Sequence, residues 1–337
     1  MKIYYHLSEY ISHRRAGQAY MACLAAMGHE LVADPAQSDI AVLHEEPSLA
    51  AEAIAAMPPK PGRKHVGYAV WETPQLPRMY AEAVAAMDAV WTCSEFSRQA
   101  FAPYARTFVL PHVVERPKVT RADMDWAMGR LGITEKQREA RQTFYFYTIV
   151  DTVNPRKDVE TLLAAFSTAF PGQEQAVKLV TKQYRHPKPL EQLPYIIDIP
   201  EMLEDGQLAA LHAVCDAYVS AHHAEAWGLP LSEALSFGNP VIATGYSGNM
   251  EFMNAENSFP VQYTVSQVSE RMCKALPKLF TPDMTWADID FAHLVQLLRQ
   301  IRTRRVTPEF RKRAAASMKA FASAAIQERL HSLLAAL

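Results

Sequence analysis

The sequence contains few cysteines, and they do not suggest a disulfide framework. Only four occur in 337 residues, far apart and without paired spacing: Cys23, Cys93, Cys215 and Cys273. His212 stands three residues before Cys215, with His222 and His223 nearby, but no set of four ligands has the spacing of a metal site. We therefore expect reduced cysteines and no metal.

The sequence also lacks a strong excess of charge and a long apolar run. Its formal net charge is −2, which argues against a general nucleic-acid binder. No run of eighteen apolar residues occurs, and residues 1–8 are too polar and strand-like for a signal peptide. With 49% hydrophobic residues, a chain of this length can bury two cores. We expect a two-domain cytoplasmic protein.

Residues 221–249 place two carboxylates eight residues apart around the start of a helix. Pro230 suits the first position of a helix, because it lacks the N–H that would be unpaired there. Glu225 is therefore predicted in the preceding loop and Glu233 one turn inside the helix. The alternative is that both glutamates are solvated residues beside an ordinary strand and helix unit.

The same helix start is suited to an anionic ligand. Gly228 lets the backbone approach a ligand closely, and the helix N-terminus at Gly228 and Leu229 offers N–H groups and a partial positive charge to a diphosphate. Glu233 could accept hydrogen bonds from a ribose diol. Residues 238–240 should end the helix and residues 241–243 should form a buried strand.

A second segment combines a strand, a turn and a helix around two adjacent cations. Residues 144–150 are aromatic and β-branched, and residues 159–166 have helical apolar periodicity. Arg156 and Lys157 fall at the junction, where they could neutralise a departing diphosphate. An exposed basic pair is the alternative interpretation.

The first half of the chain alternates strands and helices, which predicts a parallel sheet covered by helices. A loop containing Gly17 is expected between the first strand and the first helix. Trp71, Glu72 and Thr73 follow a predicted strand, at the edge of the sheet where ligands bind.

The two glutamates with Gly-Leu-Pro at 228–230 and Pro-Val-Ile-Ala-Thr at 240–244 resemble the signature of the retaining family-four glycosyltransferases. The resemblance also points to a mannosyl- or rhamnosyltransferase-like subfamily. It implies an α/β GT-B fold, in which two Rossmann-like domains with parallel sheets face an interdomain cleft. The expected boundaries are 1–118 for the acceptor-side domain, 119–142 for a linker, 143–307 for the nucleotide-sugar domain and 308–337 for a helix packing back on the first domain.

The resemblance implies roles for the donor-side residues. Glu225 would lie near the donor sugar and Glu233 would hold the ribose, while Arg156 and Lys157 would contact the diphosphate. Many family members carry a Gly-Arg pair where this chain has Asp151-Thr152, and Lys182 is the expected replacement. The loop after Ile199 would pack near the base.

On the acceptor side, the resemblance implies that Gly17, Trp71, Glu72 and Thr73 line the cleft. Trp71 could stack on a sugar face and Glu72 could orient a hydroxyl. Simple loop packing is the alternative for these residues.

Together these features predict a metal-independent enzyme that moves a sugar from a nucleotide-sugar donor to a glycan or lipid-linked glycan acceptor, with retention and without a further cofactor. A non-catalytic sugar-nucleotide-binding partner and a GT-B epimerase are the alternatives. The chain has a basic run between Arg302 and Arg313. This run could contact the inner face of a membrane peripherally, and a solvated helix face is the alternative interpretation.

Overall fold

The first half of the chain folds around a six-stranded parallel sheet. The computed structural model describes residues 1–140, 142–172, 176–184, 190, 193–303 and 306–337. The strand order is β2-β1-β3-β4-β5-β6. The strands are β1 Lys2–Leu7, β2 Glu30–Val32, β3 Ile40–His44, β4 Lys64–Tyr68, β5 Ala89–Thr92 and β6 Thr107–Val109. The helices between them are α1 Ile11–Ala26, α2 Pro47–Ala56, α3 Arg78–Val84 and α4 Glu95–Phe101.

A second six-stranded parallel sheet follows, in the order β12-β11-β10-β7-β8-β9. Its strands are β7 Phe144–Val150, β8 Val177–Gln183, β9 Ile196–Ile199, β10 Ala217–Ser220, β11 Val241–Thr244 and β12 Phe259–Val261. The helices up to β11 are α5 Arg121–Leu131, α6 Glu135–Ala140, α7 Val159–Ala169, α8 Asp205–Val214 and α9 Leu229–Ser236. The prediction of two parallel sheets with helices is confirmed. We call the two halves the first and second lobes.

A small antiparallel pair lies outside both main sheets. It consists of β13 Tyr263–Gln267 and β14 Thr285–Ile289, with α10 Glu270–Ala275 between them. Helix α11 Phe291–Thr303 follows β14. The segment between β13 and β14 reaches the first lobe, where Phe280 stacks on Trp71 at 4.9 Å between ring centroids.

The C-terminal segment connects the lobes but is not the single helix expected over 308–337. It forms α12 Pro308–Ser317, a 3-10 turn Met318–Phe321 and α13 Ser323–Ala335. The helical path is interrupted at Ala322, whose backbone is extended. This break lets α12 pack against α9 of the second lobe while α13 packs against α1 of the first.

Gly17 lies within α1 rather than in the predicted cleft loop, because the helix begins at Ile11. A Cβ at this position would come within 2.3 Å of Leu7 Cδ2 and 2.9 Å of His44 Nδ1. The glycine therefore allows close packing of α1 on the first sheet.

Candidate functional site

The loop from Glu225 to Gly228 leads directly into α9, as the sequence predicts. Gly228 precedes the helix with a φ of 90°, and Pro230 lies in its first turn. Pro230 has no N–H and the Leu231 N–H donates to the Gly228 carbonyl over 3.0 Å, so the Leu229 N–H is the first-turn donor that can serve a ligand. The Glu225 side chain is buried in the loop, and that of Glu233 is 18% exposed one turn along.

Contacts from both lobes hold this loop. The N–H of Gly248 donates to the Glu225 carbonyl over 2.8 Å, and the Ser247 hydroxyl accepts from the Glu225 N–H over 2.8 Å. From the first lobe, the Ser94 hydroxyl donates to the Ala226 carbonyl over 2.8 Å. The backbone that carries Glu225 is thus fixed where the lobes meet.

Ala226 lies in the loop that carries Glu225, and its backbone conformation does not need glycine. Among the described non-glycine residues, only Asp158 and Ser247 have positive φ. The left-handed conformation falls at Gly228 instead, so the methyl group of Ala226 causes no backbone strain.

Arg156, Lys157, Glu72 and Glu225 form a compact charge cluster at the cleft. Arg156 Nη1 lies 3.2 Å from Glu225 Oε2, and Arg156 Nη2 lies 3.0 Å from Glu72 Oε1. The Lys157 ammonium pairs with Glu225 Oε1. We call these four residues the cleft cluster. Arg156 is buried and the Lys157 side chain is only 15% exposed, so the exposed-pair interpretation is wrong.

The charges of the cleft cluster stabilise one another. Burial raises the pKa of Glu225, but the charges of Lys157 and Arg156 outweigh it and lower the pKa to about 2. Burial lowers the pKa of Lys157, and Glu225 opposes this only in part. Glu225 is therefore a carboxylate at neutral pH, where it can accept hydrogen bonds and face positive charge but cannot donate a proton.

Glu233 forms a second contact between the lobes. Its Oε1 lies 3.3 Å from Arg15 Nη2 of α1, which also lies 3.6 Å from Asp205 Oδ1. Its Oε2 lies 3.7 Å from Nε2 of His212. The carboxylate of Glu233 thus has a cation from the opposite lobe beside it.

Lys182 does not join the cleft cluster. It is buried near the end of β8, and its ammonium donates to the adjacent Gln183 carbonyl. Ile199, at the end of β9, is fully buried. At the position of the missing Gly-Arg pair, the Thr152 hydroxyl donates to Gln183 Oε1 over 2.5 Å. This polar contact does not replace the missing cation.

On the acceptor side, only Glu72 joins the cluster. Trp71 is 3% exposed, and its indole N–H lies 2.7 Å from both Thr73 Oγ1 and the Gln75 carbonyl. Phe280 stacks on the Trp71 ring and Tyr80 packs edge-on against it, so the buried ring offers little surface to a sugar. Thr73 is fully buried and donates to the Gln75 carbonyl. Both residues therefore hold the loop that presents Glu72.

A cavity of about 280 Å³ lies beside Glu72 and Arg156. Carboxylates and aromatic side chains line it, and such groups suit a polyhydroxylated ligand. The lining includes Tyr10, His13, Glu45, Glu46, Tyr80 and Phe280.

Within the described part of the chain, no group of three or more His, Cys, Asp or Glu residues could hold a metal ion. The sequence has two Asp-x-Asp triplets, at 123–125 and 288–290, and their side chains have other contacts. Asp123 completes the capping box of α5, and Asp290 accepts from the His293 N–H at the start of α11.

Two members of the basic run near the C-terminus contact other parts of the protein. Arg311 donates to Asn239 Oδ1, and Arg313 donates to the Glu256 carbonyl. Arg304 and Arg305 lie outside the described residues. No described helix is both long and apolar enough to cross a bilayer. Peripheral membrane contact stays a prediction.

Comparisons with known proteins agree with this arrangement. Residues 133–276 match the model of the family described as Glycosyl transferases group 1. No curated protein matches the sequence. The fold is similar to that of HepE of Anabaena in complex with UDP and glucose, with 14% identity, 100% of this chain and 99% of that chain covered, and a TM-score of 0.64.

Two further solved structures have the same extent of similarity. Sucrose-phosphate synthase from Thermosynechococcus elongatus is 14% identical over 99% of this chain and 98% of that chain, with a TM-score of 0.66. WaaG, a glycosyltransferase involved in lipopolysaccharide biosynthesis, is 14% identical over 99% of both chains, with a TM-score of 0.61. These likenesses confirm the predicted GT-B fold. The match to the glycosyl transferases group 1 family spans residues 133–276, less than half of the chain, and supports the prediction of a glycosyltransferase.

Proposed function

We propose that the protein is a retaining hexosyltransferase, which moves a sugar from a nucleotide-sugar donor to a hydroxyl of a glycan or lipid-linked glycan. The observation that carries the proposal is the cleft cluster beside the open N-terminus of α9. Buried Arg156, largely buried Lys157 and a helix dipole meet there, which suits a diphosphate that gains charge as the bond to the sugar breaks.

Each member of the site has a distinct role in this proposal. Arg156 and Lys157 neutralise the departing diphosphate, aided by the Leu229 N–H at the start of α9. Glu225 orients the donor sugar and faces the positive charge that develops at its anomeric carbon. Glu233 accepts hydrogen bonds from the ribose diol. Glu72 orients the acceptor.

Retention follows from a front-face displacement in this proposal. The bond between the anomeric carbon and the phosphate oxygen breaks while the acceptor oxygen approaches from the same side. The leaving phosphate oxygen takes the acceptor proton. Glu225 is already deprotonated and buried against two cations, which favours an electrostatic role over a proton-transfer role.

Product stereochemistry tests the proposal directly. UDP-, GDP- and dTDP-sugars of known anomeric configuration are incubated with the protein and glycan acceptors, and the anomeric proton couplings of the products are measured by NMR. UDP-glucose is the first choice, because HepE was solved with it. We expect transfer or slow donor hydrolysis with retention. Inversion would overturn the mechanism, and tight donor binding without any turnover would favour a non-catalytic partner.

A further inference from the structure

His212 of α8 is a buried histidine whose two ring nitrogens have different surroundings. The residue is 2% exposed, and Nδ1 lies 2.7 Å from the Tyr147 hydroxyl oxygen. Nε2 is buried without a hydrogen-bond partner among the described residues, 3.7 Å from Glu233 Oε2. Buried polar atoms rarely lack a partner. The position of Nε2 therefore points to a contact that forms when the neighbouring site is filled.

The hydrogen-bond network determines which ring nitrogen carries the proton. Arg311 can only donate, so Asn239 Oδ1 accepts from it over 3.1 Å. The Asn239 amide nitrogen then donates to the His212 carbonyl over 2.6 Å and to the Tyr147 hydroxyl over 2.9 Å. Tyr147 is left to donate its own proton to Nδ1. His212 therefore presents an Nε2–H to Glu233.

We propose that His212 is a positioning residue that orients the Glu233 carboxylate toward the ribose diol of the donor. The inference rests on the proposed function, since it takes Glu233 as the ribose ligand. When the ribose displaces Arg15, a small rotation of the carboxylate brings Oε2 into hydrogen-bond distance of Nε2–H. A carboxylate accepts about four hydrogen bonds, so both ribose hydroxyls can still be accommodated.

The consequence is selectivity for ribose over 2′-deoxyribose. A carboxylate that is already oriented meets both hydroxyls without a further loss of rotamer freedom, and it is left unsatisfied when one hydroxyl is missing. A freely rotating carboxylate can turn toward the remaining hydroxyl or toward water instead. Removing the Nε2–H should therefore reduce the discrimination between the two sugars more than it reduces overall affinity.

Two substitutions of His212 separate positioning from packing. In His212→Gln the amide nitrogen can occupy the place of Nε2, whereas in His212→Asn it reaches only the place of Nδ1. We expect His212→Asn to reduce the ribose to 2′-deoxyribose affinity ratio about tenfold, and His212→Gln to retain most of it. Tyr147→Phe, which removes the donor that fixes the tautomer, should cause an intermediate loss. His331→Asn, an exposed change on α13, is the matched control.

Calorimetry decides the matter, with UDP, GDP and ADP screened first and the tightest of them compared with its 2′-deoxy form. Loss of the ratio in His212→Asn with rescue in His212→Gln supports the inference. An unchanged ratio in His212→Asn, or an equal loss of affinity for both sugars, overturns it. If His212→Asn does not fold, an unchanged ratio in Tyr147→Phe overturns it instead. Failure of the wild-type protein to bind UDP, GDP, ADP or dTDP would overturn the proposed function itself, whereas binding of dTDP alone, whose sugar is 2′-deoxyribose, would overturn only the inference about His212.

Discussion

Glu225 is a buried carboxylate that keeps its charge because two cations contact it. Arg156 and Lys157 lower its pKa to about 2, against the opposing effect of burial. Glu233 is different, because its side chain is partly exposed and its nearest cation, Arg15, comes from the opposite lobe. These environments predict different kinetic consequences for the two glutamates.

Substitution of each glutamate by glutamine should separate donor binding from turnover. Glu233→Gln should weaken binding of the free nucleoside diphosphate about tenfold, because charged acceptors form stronger hydrogen bonds than neutral ones. Glu225→Gln should leave that affinity nearly unchanged and lower kcat, because its charge acts on the transition state. Calorimetry and steady-state kinetics measure the two effects. Equal weakening of binding by both changes would contradict this division of roles.

The Glu225 pKa also predicts how stability changes in acid. An unfolded glutamate titrates near pH 4.3, so the lowered folded pKa stabilises the protein above that pH. This stabilisation is lost as the pH falls from about 4.3 toward 2, and a shift of about two units corresponds to roughly 3 kcal/mol. Urea unfolding at several pH values should show the wild-type advantage over Glu225→Gln shrinking through this interval. A difference independent of pH would mean that Glu225 is not held by these cations.

The sequence was sufficient to find the central charges but not their partners. Glu225, Arg156 and Lys157 could be predicted because each follows a buried strand in a recognisable order. Arg15 meets Glu233 across 218 residues of chain, a contact that tertiary packing alone creates. Lys182 shows the same limit. Its expected contact with phosphate requires its side chain to point toward the cleft cluster, and the sequence does not give the direction of a side chain.

At the scale of elements, the loop that contains Gly248 braces the loop that carries Glu225. The two are joined by a backbone hydrogen bond, and their close approach leaves no room for a side chain at Gly248. A Cβ there would lie 1.7 Å from the Ala226 carbonyl oxygen.

Gly248→Ala should therefore displace the Glu225 loop and lower both kcat and thermal stability. The free energy of unfolding should fall by about 1–3 kcal/mol, as at other overpacked sites. Gly129→Ala is a matched control, because a Cβ at that helical position in α5 meets nothing within 4 Å and alanine favours helix. Thermal unfolding and turnover of both variants check the prediction. Unchanged activity in Gly248→Ala would show that the brace is dispensable.

The sequence predicts most of the helices and strands, but it does not predict how the small antiparallel strands pair. Apolar runs predict strands β7 and β11, and Pro230 predicts the start of α9. The partner of β14 is an antiparallel strand that precedes it by about twenty residues, and no local pattern marks this pairing. The break at Ala322 is likewise set by packing on two lobes.

At the scale of the whole molecule, the site exists only where the two lobes meet. Glu72 and Arg15 reach from the first lobe to Arg156 and Glu233 of the second. Closure of the lobes therefore completes the charge arrangement, and separation would leave buried cations with fewer partners. This dependence could not be predicted from either half of the sequence alone.

Turnover should not require a divalent metal. In the proposed function, the positive charge of Arg156, Lys157 and the N-terminus of α9 takes the role of a cation at the diphosphate. Donor turnover should be unchanged after treatment with EDTA, and added manganese should not raise it. Complete loss of turnover with EDTA and its recovery with manganese would show that a metal ion, rather than these groups, stabilises the charge of the diphosphate.

The most direct measurement is donor turnover by the double variant Arg156→Ala with Lys157→Ala. The variant leaves Glu72 and Glu225 without their cations, so its folding is checked by circular dichroism and its thermal stability is measured. Arg78→Ala with Lys274→Ala, which removes two exposed charges on α3 and α10, is the control. Each lost charged contact costs about 1.5–3 kcal/mol, so we predict turnover at least a hundredfold below wild type in a folded protein. Turnover within threefold of wild type would contradict the assignment of the cleft cluster as the site of sugar transfer.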